Sequence, residues 1–168
     1  MAKPAQIVLS HWHNLVEGLQ ESPQNIYSLI ETSINEKQLP DVKITRVTLH
    51  EAGLLSAKRE YLRVRRKEHL FDICAAPFGS GFFFSWWLGE VPSGFWGLMA
   101  LIPVFGPFFI GWFKPDTYFT LDTAMMFQDS ISKAVDDVVG QIISSKGLRA
   151  LSELERKPVM SDIFNKIK

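Results

Sequence analysis

The chain has 168 residues, room for one domain with one core and an insertion. Its 18 lysines and arginines balance 18 aspartates and glutamates, so no global field draws it to nucleic acid or to an acidic partner, and any attraction must be local. Cys74 is the single cysteine, which excludes an intrachain disulfide and fits a reducing compartment. The N-terminal stretch has no apolar run long enough for a signal-peptide core, so export by that route is not expected.

In chain order, Val8, Trp12, Leu15 and Leu19 recur at helical spacing and predict a first helix. A second follows: Ser22 is a suitable N-cap, Pro23 suits the first helical position, and Ile26, Leu29, Ile30 and Ile34 make an apolar stripe that Pro40 stops. From Asp41 the period changes to alternation, and residues 42–49, rich in β-branched side chains, predict a strand. Residues 60–73 predict a hairpin with Leu62 and Val64 facing in, Arg63 and Arg65 facing out, and a polar turn over 66–69.

Beyond the apolar middle of the chain, residues 117–122 read as a short strand. A long helix is expected from near Thr123, with Phe127, Ile131, Val135, Val138 and Ile142 on one face and Gly147 at its end. Two short helices divided by Pro158 should follow, the first with a Ser152–Glu155 capping box and the second capped by Ser161.

The middle of the chain is the unusual part. Residues 73–88 and 94–113 carry no charge, and a turn-rich stretch with only Glu90 joins them. Residues 95–113 would span about 28 Å as a straight helix, close to a bilayer's hydrocarbon thickness, but one crossing would separate the two flanks. Two arms around a turn would leave both flanks on one side. Lys58, Arg59, Arg63, Arg65, Arg66 and Lys67 before the first arm, with Lys114 after the second, put that side in the cytoplasm. The first arm is short for a full span and has the aromatic richness of a strand, so a re-entrant insertion and a soluble, buried arrangement both stay open.

The fold expectation is therefore α+β: a small antiparallel sheet packed with N- and C-terminal helices, carrying an inserted apolar hairpin. Residues 1–72 and 114–168 would form one cytoplasmic domain and 73–113 the hairpin. The residues expected to insert are Phe82, Phe83, Phe84, Trp86 and Trp87 in the first arm. In the second they are Phe95, Trp96, Leu98, Leu101, Ile102 and Pro103, followed by Phe105, Pro107, Phe108, Phe109 and Trp112. Arg63, Arg65, Arg66 and Lys67 are the candidates for anionic lipid headgroups, each worth about 1 kcal/mol near the surface.

No catalytic or metal-binding constellation stands out. His11 and His13 flank Trp12 and, on a helix, would point in different directions. His50 and Glu51 lack the second histidine of a metal-binding helix motif. Cys74, His69 and Asp72 invite a thiolate–base arrangement, yet on an extended chain Asp72 and Cys74 share a face and His69 takes the other. The expected function is a non-enzymatic, membrane-anchored accessory or scaffold protein of a membrane-associated complex. Its partners would be lipid and either another protein or a second copy, with no nucleic acid and no cofactor. The alternatives are a soluble module that binds a lipid or other apolar ligand, and a membrane-surface enzyme using Cys74 and His69.

Overall fold

A computed structural model describes residues 7–50, 58–91 and 117–160. In chain order its elements are β1 (Ile7–Glu17), α1 (Pro23–Glu36), β2 (Val42–His50), β3 (Lys58–Arg66), β4 (His69–Phe78), β5 (Gly81–Glu90), α2 (Tyr118–Ser145), α3 (Glu153–Arg156) and β6 (Val159–Met160). The strands form one antiparallel sheet in the order β2-β3-β4-β5-β1-β6. The expected α+β class is present, with more sheet than the sequence suggested.

One face of the sheet carries the core. Leu62 and Val64 on β3, Phe71, Ile73 and Ala75 on β4, and Phe82, Phe84, Trp86 and Leu88 on β5 bury against Ile26, Ile30 and Ile34 of α1 and Phe127, Ile131, Val135 and Val139 of α2. Each such large side chain contributes about 1.5–3 kcal/mol on leaving water. Strand alternation places Asp72, Cys74, Ser85 and Trp87 on the opposite face. Between β1 and β5 the backbones come very close: a Cβ at Gly81 would lie 2.8 Å from the Val16 carbonyl oxygen, so only glycine fits there.

Tyr27 of α1 supports the sheet at a break in its ladder. The β3–β4 pairing ends at Leu62 and Ile73, and beyond it the buried Tyr27 hydroxyl accepts from the Ala75 N–H (3.0 Å) and donates to the Glu60 carbonyl (2.8 Å). A side chain thereby satisfies backbone groups that the separating strands cannot satisfy for each other.

Three expectations need correction, and a fourth falls outside the described residues. The predicted first helix is strand β1. Trp12 and Val16 are four residues apart, which places them on one face of a strand as well as of a helix, and both are buried while Leu15 is exposed. A bulge between Val8 and Ser10 turns Leu9 into the core and Val8 out.

The first apolar arm is not half of an inserted hairpin: residues 73–78 belong to β4 and 81–88 to β5, paired from His69↔Glu90 to Phe78↔Gly81. The boundary drawn between residues 72 and 73 therefore falls inside a strand. The short strand expected over 117–122 is the first turn of α2, because Thr117 and Thr120 form a reciprocal capping box that starts the helix. Pro158 leads into β6, which pairs with β1 at Ser10 and His11, and the second short helix expected after it lies outside the described residues.

Candidate functional site

The strands and α2 share a direction that gives the domain two distinct ends. Ser10 of β1 donates its hydroxyl to the Gln128 side-chain oxygen, and Phe127 lies 6.2 Å from the His69 ring and 6.3 Å from Phe71. At the other end, Gly18 lies beside Leu148, and Lys146 pairs with Glu21 at 2.9 Å. α2 therefore begins at the end that holds the β3–β4 turn and the close of β5.

That end collects the basic residues of the turn. Lys67 adopts a left-handed backbone (φ 51°), which lets the chain reverse over Lys67 and Glu68. Arg65 donates to the Lys67 carbonyl at 3.0 Å, and Arg66 donates to the Pro40 carbonyl at 3.2 Å. The cross-strand register adds Lys43 directly opposite Arg65, a like-charge pair that costs stability unless an anion neutralises it. Around the turn, Lys43, Arg65, Arg66 and Lys67 outnumber Asp41, Glu68 and Glu90 by one. The Val91 N–H donates to the Glu68 carbonyl at 2.8 Å, so the last described residue before 92–116 is tied to this basic turn.

Arg63, expected at the headgroups, is engaged in an ion pair. Its Nε and Nη2 both donate to Asp72, at 2.7 Å each, with side-chain exposures of 19% and 7%. The hydrogen bond to Asp72 holds the guanidinium pKa above its ordinary value. Arg63 thus closes a buried pair on the face of the sheet opposite the core. Lys43 is the cation that sequence reading missed, since its place beside Arg65 depends on strand register.

The inserted residues proposed for the first arm divide by strand parity. Phe82, Phe84 and Trp86 are core residues, with the Trp86 ring 4.8 Å from Phe71 and tilted by 31° to it. Phe83 and Trp87 face the other way, where His11 stacks on Trp87 (4.6 Å, 13°) and His13 lies 6.3 Å from Phe83. His11 and His13 thus share a face, their rings 6.3 Å apart and nearly parallel, because β1 is a strand. The candidates of the second arm, over 95–112, lie outside the described residues. Among the described residues, no helix is long and apolar enough to cross a membrane.

The thiol arrangement does not assemble. Cys74 is fully buried on one face of the sheet, where desolvation raises its pKa and keeps it protonated, while His69 on the other face packs against Phe127. His50 ends β2, and Glu51 lies outside the described residues. No cluster of three or more His, Cys, Asp or Glu side chains suited to a metal ion occurs among the described residues.

No family model matches the chain, and no curated protein matches it. Among solved structures it is similar to the crystal structure of TTHA0849 from Thermus thermophilus, at 12% identity over 84% of this chain and 99% of that one, with a TM-score of 0.29. A likeness at that level carries no argument about fold or activity.

Proposed function

We propose that this chain is a non-enzymatic, membrane-associated accessory or scaffold domain. Residues 92–116 enter one face of a bilayer, Lys43, Arg65, Arg66 and Lys67 lie at the headgroups, and the folded part faces the cytoplasm. The observation that carries this reading is the Val91–Glu68 hydrogen bond, because it ties the departure of an uncharged segment to a cluster of cations. Cations beside an apolar insertion gain from anionic lipid while the insertion gains from hydrocarbon. The cytoplasmic orientation rests on the same positive charges.

The ligand-module alternative finds less support, since Phe71, Trp86 and Phe127 fill space between sheet and α2 with ring-to-ring contacts. An enzyme using Cys74 and His69 finds less still, with the two groups on opposite faces.

Fractionation with an alkaline wash tests the proposal. The full chain should stay with the membrane pellet, and a variant with 94–113 replaced by a Gly-Ser linker of equal length should move to the supernatant while keeping its folded circular dichroism spectrum. A wild-type chain that appears in the supernatant before the wash overturns the reading.

A further inference from the structure

The first turns of α2 carry large apolar side chains in water: Tyr118 (78% exposed), Phe119 (79%), Met125 (46%) and Met126 (62%). Positions 118 and 125, like 119 and 126, are seven apart, so the four lie on one side of the helix. Ala124, Phe127 and Ile131 bury on the other. Four neighbouring exposures of this kind mark a contact surface.

Geometry limits what that surface can meet. Gln128 is level with Ser10 on the sheet, and Thr117 lies about 16 Å further along the helix at roughly 1.5 Å per residue. β1 extends only from Ser10 to Ile7 in that direction, about 10 Å at roughly 3.3 Å per residue. The start of α2 therefore overhangs the strand ends, on the end of the domain that bears Lys43 and the Arg65–Lys67 turn. An occupant must accept cations and apolar side chains together. An anionic lipid surface does so, with tyrosine and phenylalanine at its interface.

We infer that Tyr118, Phe119, Met125 and Met126 form a second lipid-contacting surface, so that the domain docks end-on to an anionic bilayer with α2 standing upright. This rests on the membrane reading above and adds to it a pose and a set of residues. Asp122 lies among the four and Asp129 follows it two turns on along the same face; both oppose the contact, and the basic turn offsets them.

The test uses the full chain with single added cysteines, Phe119→Cys, Met126→Cys and, at the far end, Ser80→Cys, each labelled with an environment-sensitive fluorophore. Cys74 is fully buried and does not react under native conditions. With vesicles of mixed phosphatidylserine and phosphatidylcholine, the probe at 119 should brighten several-fold and shift to the blue, the probe at 126 should respond less, and the probe at 80 should stay unchanged. Phe119→Ser with Met126→Ser should weaken vesicle binding about tenfold or more, the loss of two apolar side chains that the bilayer surface buries in part. Leu154→Ser, equally exposed but on α3, should not.

A chain that binds vesicles while the probe at 119 stays in water overturns the pose and leaves the membrane reading intact. A probe at 119 that becomes shielded with protein concentration alone makes the surface a contact between copies and overturns the pose. A chain that ignores vesicles overturns both.

Discussion

Asp72→Asn separates a structural role for Arg63 from a lipid-binding one. In the native protein two charge-assisted hydrogen bonds of 2.7 Å join the pair, and the Asp72 side chain is 7% exposed. The substitution keeps size and shape but removes the negative charge, which leaves a largely buried guanidinium facing a neutral amide. Breaking a buried pair in this way costs about 3–5 kcal/mol. For a chain of this length each kcal/mol lowers the melting midpoint by about 2–4 °C, so the variant should melt at least about 6 °C lower by circular dichroism. Arg63→Met with Asp72→Leu removes both charges and should recover to within about 2 kcal/mol of wild type, since an apolar pair of similar volume carries no desolvation penalty. The same double variant should bind anionic vesicles as wild type does, because neither group reaches the surface that Arg65–Lys67 presents. A midpoint shift below about 2 °C for Asp72→Asn, or weakened vesicle binding by the stable double variant, would refute the argument and return Arg63 to the headgroup set.

Tyr27→Phe removes the hydroxyl that serves Ala75 N–H and Glu60 C=O, and should cost about 2–3 kcal/mol in denaturant unfolding with an unchanged slope. Gly81→Ala drives a methyl group into the Val16 carbonyl 2.8 Å away and should cost about 2 kcal/mol or more, with the loss appearing as hydrogen exchange in β1 and β5. Asp136 on α2 has its carboxyl pKa raised from 3.8 to about 6, mainly by desolvation, with Arg156 opposing the rise and Asp137 adding to it. The folded state then holds that proton more tightly than the unfolded state, so stability is full below about pH 4 and falls as pH rises through about 6. Asp136→Asn should abolish that fall, raising stability at pH 7.5 by about 1 kcal/mol after allowance for solvent screening and leaving it unchanged at pH 4; an equal gain at both pH values would contradict the assignment.

What the sequence revealed depended on how many arrangements each pattern permitted. Ile26, Tyr27, Ile30 and Ile34 are buried together at spacings of one, three and four that one strand face does not allow, and α1 begins at Pro23. The β3–β4 hairpin was equally legible, because Leu62 and Val64 alternate with Arg63 and Arg65. β1 was misread because spacings of four satisfy helix and strand alike, and Leu15, the odd member, proved to be the exposed one. Residues 117–122 alternate like a strand, but the Thr117–Thr120 capping box overrides alternation, and that choice hid the exposed face of α2. The site was legible only in part: the turn cations stand together in sequence, whereas the link from Val91 to Glu68 and the placing of Lys43 exist only through strand pairing.

Absence of charge is the property that misled most, and it separates into two cases once parity is considered. In 82–88 large side chains alternate between the core face and a second face on which Leu70, Cys74 and Ser85 are also buried, so an uncharged stretch there needs no lipid. Residues 94–113 offer no such alternation, and prolines and glycines interrupt them. Their two ends are held by elements that pack in one core, β5 before and α2 after, so a crossing that left the flanks on opposite sides would have to break that core. Two full helical crossings need about 40 residues, and only about 25 lie between Val91 and Thr117. Val91 and Thr117 belong to one folded unit, and under the proposed insertion both must stand on the same side of the bilayer.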